Sequence, residues 1–405
     1  MVSFVQKPNP TLFLTSQVHN HRNEFEEDDK QSRTRYDWSK LCHDILRLIL
    51  ESLHYTDYHR ARTVCSNWYT ASTTCKRPLY PWRIKFNKIS TSLFDPREDK
   101  IHEIQHPGEF SDRNVLASCS NWFLMVDSGL EFYLLNVFTR ERINLPSMES
   151  SILGKERLEK EVAWKHFIER TDIISTKKQA CLWINERTGD YVVAWSIKQF
   201  YLFTYKKGDD SWLNLEDTKC VSMALNTDYK LYVYALDNSI KIFDLYGEFP
   251  SEIVEENPYR NHPFSFRFVS NPEEHAWKQV VAITNSGEVL MIVSLKGLED
   301  KRLFYIYKMD FGSCNWERVD SLGGEMLIFG HGVTIRAPIL DINGLGIKSD
   351  SICFRGDDLW PLSQLFIPIT QPMCGVFDLA TSTITWPKSL DASVLKSFWF
   401  VPGHA

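Results

Sequence analysis

The chain has 405 residues, enough for two or three domains and a large core. Asp and Glu number 52 against 46 Lys and Arg, a net charge of −6, so neither nucleic acid nor an anionic membrane is the expected partner. Nine cysteines, an odd number with no Cys-x-x-Cys spacing and no secretory leader, argue against a disulfide framework and for a reducing compartment.

Residues 1–35 combine two prolines, short apolar patches such as Leu12-Phe13-Leu14, and the acidic run from Glu24 to Asp29. This composition reads as a solvated, flexible leader, and its acidic run is at odds with an organelle-import presequence. From Tyr36 to about Tyr80 the pattern turns helical. Leu41, Ile45, Leu48 and Ile49 fall at i, i+4, i+7 and i+8, which lines one helix face with apolar groups. Asp44 sits in the first turn, where a carboxylate suits the positive end of the helix dipole. Leu50 and Leu53 widen the stripe beyond what a small core needs, so the surplus is expected to have a partner.

Thr56-Asp57 supplies an N-cap pair for a second helix, in which Tyr58, Ala61, Val64, Cys65 and Trp68 recur at helical spacing up to a break at Lys76-Arg77-Pro78. Helices joined this closely pack as a hairpin, and about 40 residues bury too little core to stand alone. A DNA-reading helix-turn-helix does not fit, because Asp44, Glu51 and Asp57 alternate with Arg47, Arg60 and Arg62 and leave no basic stripe.

The order Leu41-x-x-Asp44-Ile45-Leu46-x-x-Ile49-Leu50, then Leu53, Asp57-Tyr58 and Val64-Cys65-x-x-Trp68, resembles an F-box. The resemblance implies a three-helix hook that docks on a Skp-type adaptor and so joins a cullin-RING ubiquitin ligase. It implies Leu41, Cys42, Ile45, Leu46, Leu48, Ile49, Leu53, Val64 and Trp68 as the adaptor-binding residues. F-boxes usually open their first helix with Leu-Pro; here the pair is Leu41-Cys42. Proline at that point pre-sets φ and gives up an N–H that has no partner, so cysteine weakens the helix start without forbidding it.

Prolines 78 and 81 break the helical pattern, and Trp82, Ile84 and Phe86 then alternate with charges in strand fashion, which puts the domain boundary at 80/81. Strand follows strand from there: Trp122–Val126, Glu131–Asn136, Tyr191–Ser196, Phe200–Tyr205, Lys230–Leu236, Ile240–Leu245, Val280–Thr284, Val289–Ser294, Leu303–Met309 and Gly375–Leu379. The turns between them include Lys207-Gly208-Asp209-Asp210 and Leu236-Asp237-Asn238. Gly154–Glu169 reads as a short helix. A faint repeat joins an apolar strand, a polar turn and a Trp or aliphatic residue, at Leu135 to Ile143, Tyr205 to Trp212, Phe243 to Ile253, Tyr307 to Trp316 and Phe377 to Trp386. Such a repeat suggests a β-propeller over residues 81–405, with about six or seven blades at about 40 to 50 residues each. A sandwich of ordinary hairpins is the alternative.

The stretches Thr139-Arg140-Glu141-Arg142-Ile143-Asn144-Leu145-Pro146, Lys207-Gly208-Asp209-Asp210-Ser211-Trp212, Ile240-Lys241-Ile242-Phe243-Asp244 and Trp316-Glu317-Arg318-Val319 resemble plant F-box proteins with a KIB-type β-propeller. That resemblance implies a substrate receptor of the nucleus or cytosol.

Gly344-Leu345-Gly346 and Gly323-Gly324 lack the residues a phosphate-binding loop needs, and no zinc spacing or Gly-x-Ser-x-Gly elbow occurs. His19, His21, His102, His106 and His331 have no ligand spacing, and Asp209-Asp210 and Asp357-Asp358 sit in turn contexts with nothing to desolvate one carboxylate. The apolar runs fall short of the roughly 20 residues a bilayer span takes. The expectation is a non-catalytic receptor without cofactor or metal, binding the adaptor, through it a cullin, and an unidentified target protein. The alternatives are a propeller scaffold or inhibitor acting without the ligase, and an enzyme built on the propeller.

Overall fold

The computed structural model describes residues 37–53, 55–75, 81–86, 90–95, 100–105, 114–127, 131–147, 178–186, 188–197, 201–266, 275–284, 286–296, 301–330, 333–338, 347–355, 374–386 and 397–403. The expected leader, the break at Lys76-Arg77-Pro78 and the helix at Gly154–Glu169 lie outside these residues. The chain divides into two compact units between Arg77 and Pro78.

The first unit is a 3-10 turn (Trp38–Lys40) followed by α1 (His43–Ser52), α2 (Tyr55–Arg62) and α3 (Ser66–Thr73). The stretch expected as a single second helix is therefore two helices. The last turn of α2 tightens, with Thr63 N–H donating to the Arg60 carbonyl and Val64 N–H to the Ala61 carbonyl, both at 3.1 Å. The Thr63 hydroxyl takes the Arg60 carbonyl as well, at 2.7 Å. Two β-branched residues in succession favour this stop, and Cys65, extended at φ −164°, begins the next helix.

In the second unit the described strands form six sheets. Blade 1 holds β1 (Trp82–Phe86), β2 (Ser90–Asp95) and β3 (Lys100–Gln105); blade 2 holds β4 (Asn114–Cys119), β5 (Trp122–Val126), β6 (Phe132–Asn136) and β7 (Arg142–Asn144). Blade 3 holds β8 (Lys178–Asn185), β9 (Asp190–Ile197), β10 (Tyr201–Lys206) and β11 (Leu213–Asn214); blade 4 holds β12 (Cys220–Leu225), β13 (Lys230–Ala235), β14 (Ile240–Asp244) and β15 (Ser251–Glu252). Blade 5 holds β16 (His275–Ile283), β17 (Val289–Lys296), β18 (Arg302–Asp310) and β19 (Asn315–Val319). Blade 6 has five strands, β20 (Glu325–Gly330), β21 (Val333–Pro338), β22 (Ser351–Arg355), β23 (Cys374–Asp378) and β24 (Thr383–Thr385), with β21 on the far side of β20 from β22. The last strand, β25 (Ser397–Phe400), returns to pair with β1, so the unit is a closed six-bladed propeller.

Packing follows from strands that are apolar on both sides. In β17, Val289, Met291, Val293 and Leu295 face the seam with blade 4, while Leu290 and Ile292 face the seam with blade 6. In β9, Tyr191, Val193 and Trp195 face blade 2, and Val192 and Ala194 face blade 4. The period of two thus feeds two seams at once, each buried side chain contributing about 1.5–3 kcal/mol. The sequence repeat maps onto the hairpins β6–β7, β10–β11, β14–β15, β18–β19 and β23–β24, the outer half of five blades. Its tryptophans also fasten neighbours: Trp212 Nε1 donates to the Pro146 carbonyl at 2.8 Å, and Trp316 Nε1 to the His262 carbonyl at 3.0 Å.

The ring closes where β25 pairs antiparallel with β1, in the register Trp82↔Phe400, Arg83↔Trp399, Ile84↔Phe398 and Lys85↔Ser397. Trp399 is buried between blades 6 and 1 beside Met326, Ile328 and Val376. Trp399→Ala should therefore cost about 3–5 kcal/mol, read by urea denaturation of the full chain. Gly375 in β23 is a second tight point: a Cβ there would lie 2.6 Å from Phe354 Cζ and 3.1 Å from Trp386 Cζ3. Since Phe354 is fully buried and cannot swing away, Gly375→Ala should destabilise by about 1–3 kcal/mol in the same measurement.

Candidate protein-docking site

The helical unit is built around α3. Leu46 and Leu50, four residues apart on α1, pack with Tyr58 and Ala61 of α2 and with Trp68 and Ala71 of α3 in one small core. Hydrogen bonds tie the pieces together where apolar area is short. The Tyr58 hydroxyl donates to the Ser72 carbonyl at 2.9 Å, a buried contact between α2 and α3. Trp68 Nε1 donates to the Trp38 carbonyl at 3.0 Å. Asn67 Nδ2 donates to the carbonyls of Ser39 (2.9 Å) and Leu41 (3.0 Å), so two neighbouring side chains of α3 hold the segment that enters α1. Asn67 was not expected from the sequence. Its only signal is a polar amide beside a tryptophan in a first helical turn, and no spacing rule reveals that it reaches back 26 and 28 residues.

The start of α1 has no side-chain cap. Cys42 holds φ −66° and ψ 151°, and its thiol makes no capping bond. Leu41 before it is extended, at φ −59° and ψ 141°. Asp37 does the local capping, accepting from the Ser39 N–H at 3.1 Å and the Ser39 hydroxyl at 2.5 Å. Those bonds, with Lys40 beside them, hold its carboxyl below the usual carboxylate range.

The burial pattern separates the residues expected to bind the adaptor into groups. Leu46, at 0 % exposure, and Trp68 belong to the core of the unit itself. Leu41, Ile49 and Leu53 are half-buried against that core. Cys42, Ile45, Leu48 and Val64 are exposed, Ile45 at 46 % and Leu48 at 63 %. The helical face read from the spacing is thus not the core face: α1 is apolar on two adjoining flanks, and Leu46 with Leu50 won the inner one because α3 packs there. Of the residues read as one stripe, Ile45 and Leu48 lie exposed on the outer flank of α1, Ile49 is half-buried against the core, and Leu41 precedes the helix in extended backbone. Val64 lies apart, at the α2–α3 junction. Trp38 and Tyr69 are further exposed aromatics, with the Arg62 guanidinium 5.3 Å from the Tyr69 ring centre.

The other groups singled out in the sequence have ordinary surroundings. His102 stacks on Trp82 with ring centres 5.8 Å apart. Asp209 accepts the Lys206 N–H at 2.8 Å inside its turn. Arg142 lies 4.0 Å over the Tyr133 ring. Burial pushes the thiols of Cys119 and Cys220 up to about 11 and about 12. Among the described residues no group of three or more His, Cys, Asp or Glu could hold a metal ion, and no helix is long and apolar enough to cross a membrane. The remaining candidate histidines, His19, His21, His106 and His331, with Asp357-Asp358 and Gly344-Leu345-Gly346, lie outside the described residues.

Comparison with known proteins matches both units. Residues 38–80 match the F-box domain and residues 93–378 the KIB1-4 beta-propeller. Across 375 residues, 92 % of this chain and 100 % of the relative, the sequence is 98 % identical to At2g33200 of Arabidopsis thaliana, whose name places it among F-box proteins. F-box only protein 7 from the same plant is 47 % identical over 406 residues, 94 % of this chain and 98 % of that one. The F-box/kelch-repeat protein KIB1, also from Arabidopsis thaliana, is 35 % identical over 358 residues, covering 84 % and 83 %. With an F-box match on the three-helix unit and a propeller match on the six blades, the chain belongs to the F-box proteins that carry a KIB1-4 β-propeller.

Proposed function

We propose that this protein is the substrate-recognition subunit of an SCF ubiquitin ligase. The helical unit holds a Skp-type adaptor and through it a cullin, and the propeller holds a target protein. The observation that carries this reading is the outer flank of α1, where Ile45 and Leu48 stay in solvent although Leu46 and Leu50 already fill the core. Apolar side chains that a fold leaves exposed next to its own core mark a surface that another protein covers. In this role the chain supplies proximity and no chemistry of its own: a target held near the ligase reacts with a thioester carried by other subunits. Nine free thiols suit the reducing conditions of nucleus or cytoplasm, where such a ligase would act.

A propeller scaffold or inhibitor that does not engage the ligase is the second reading, and the uncapped start of α1 at Cys42 favours it. Binding of the purified full chain to a purified Skp-type adaptor separates the two. At about 1.5–3 kcal/mol per covered side chain, Ile45→Glu together with Leu48→Glu should weaken that binding roughly a hundred-fold or more. Unchanged affinity would sink the adaptor reading.

Cys42 gives an independent test of how the hook is organised. Its φ of −66° already fits proline, and the extended Leu41 before it is what a following proline requires. Cys42→Pro should thus stabilise the helical unit by about 0.4–1 kcal/mol, seen as a higher melting temperature of α-helical ellipticity. A lower one would mean that the Cys42 N–H has a partner worth more than the entropy gained.

A further inference from the structure

Tyr246 and Phe249 are the most exposed large apolar side chains among the described residues, at 76 % and 66 %. They stand on the connection between β14 and β15 of blade 4, and that connection is firmly held. Lys206 of blade 3 reaches across with its Nζ donating to the carbonyls of Leu245 (3.5 Å), Tyr246 (3.2 Å) and Gly247 (2.5 Å). The Tyr246 N–H donates to Asp244 Oδ1 at 2.8 Å, and the Leu245 N–H to the Tyr229 carbonyl at 2.9 Å. Three rings line up behind the loop: Trp183 lies 4.7 Å from Tyr229, and Tyr229 lies 5.8 Å, edge-on, from Tyr246. Trp183 and Tyr229 pack against the seam of blades 3 and 4, so the file of rings runs from the core to solvent. An apolar pair presented on an ordered loop loses little entropy when covered, which is how binding hot spots are built.

The charge around it says what would cover it. In an antiparallel blade the first-to-second and third-to-fourth connections leave from the same end, so the β8–β9, β10–β11, β12–β13 and β14–β15 connections crown one rim. Asp210, Asp228 and Glu248 are exposed there. Among the described lysines at this rim, Lys206 is engaged by its three carbonyls and Lys207 by Asp190 at 3.8 Å, while Lys230 opens β13 opposite Asp244. Burial, and after it Asp190 and Tyr246, raises the pKa of the Tyr229 hydroxyl.

The geometry points to this rim as the seat of a basic, Arg- or Lys-bearing segment of the target protein, its side-chain stems lying on Tyr246 and Phe249 and its charges facing Asp210, Asp228 and Glu248. This inference rests on the reading of the propeller as the target-holding unit.

Fluorescence anisotropy of the full chain with a labelled peptide of alternating Arg and Ser tests it, beside the same peptide with the neutral isostere citrulline in place of Arg. The Arg peptide should bind about tenfold or more tightly than the citrulline one, and less tightly as salt rises. Tyr246→Ala with Phe249→Ala should lose about tenfold with an unchanged melting temperature, and Asp210→Asn with Asp228→Asn should weaken binding and flatten its salt dependence. Equal binding of the two peptides, or full affinity in the Tyr246/Phe249 variant, overturns the proposal. So does self-association that Tyr246→Ala abolishes in a chain that binds neither peptide, since the occupant is then a second copy. Adaptor binding measured on the same variants keeps the two readings apart: peptide binding without adaptor binding defeats the ligase role and leaves the rim assignment standing.

Discussion

A strand that is apolar on both faces must find a neighbour on each side, and a row of such sheets can meet that demand everywhere only by closing into a ring. The pairing of β25 with β1 is where this chain does so. The closing region is accordingly dense in aromatic contacts. Phe123 of blade 2 lies 5.3 Å from Phe400 of β25 and 5.7 Å from Phe86 of β1. The Arg83 guanidinium, buried in the closing sheet, lies 4.5 Å from the Phe94 ring centre and 5.7 Å from that of Trp399. Without this pairing, β1 would present an open edge and the seam of blades 6 and 1 would lose Trp399, so the other seams depend on a contact between residues more than three hundred positions apart.

The helical unit meets the opposite problem, because it has too little apolar area to close upon itself. Its core rests on Leu46, Leu50, Tyr58, Ala61, Trp68 and Ala71. Side-chain bonds from Asn67, Trp68 and Tyr58 to backbone carbonyls make up part of the difference, each worth about 0.5–1.5 kcal/mol net. An α1 with leucine and isoleucine on two flanks follows from the same shortage. One flank holds the unit together, and the other stays available.

Much of the propeller was legible because its middle strands carry long β-branched, aromatic and aliphatic runs such as Val289–Leu295 and Leu231–Ala235, which periodicity finds readily. The strands that went unread include the first strands of blades 2, 3 and 4: β4 (Asn-Val-Leu-Ala-Ser-Cys), β8 (Lys-Gln-Ala-Cys-Leu-Trp-Ile-Asn) and β12 (Cys-Val-Ser-Met-Ala-Leu). These strands pack against one another from blade to blade. Close approach there favours Ala, Ser and Cys, whose strand signal is weak. In the helical unit the spacing of Ile45 and Leu48 announced an apolar flank but could not say which flank the core would take, because Leu46 and Leu50 carry an equally good pattern. The end of α2 at Thr63-Val64 was hidden for a related reason: Tyr58, Ala61 and Trp68 remain in helical register across the break.

The division between seam and rim also explains how a propeller can be re-aimed without being refolded. Residues such as Val193, Ile292 and Phe354 sit in seams and answer to packing on two sides, so their identity is bound to the fold. Tyr246, Phe249, Asp210 and Asp228 are exposed to solvent and belong to none of the buried seam clusters. Lys206 stands between the two classes: its strand is part of blade 3, yet its ammonium sets the conformation of a loop on blade 4. A ring of seams that fixes strand ends to their neighbours therefore gives its loops a rigid footing, and chemistry placed on those loops can vary independently of the interactions that keep the ring shut.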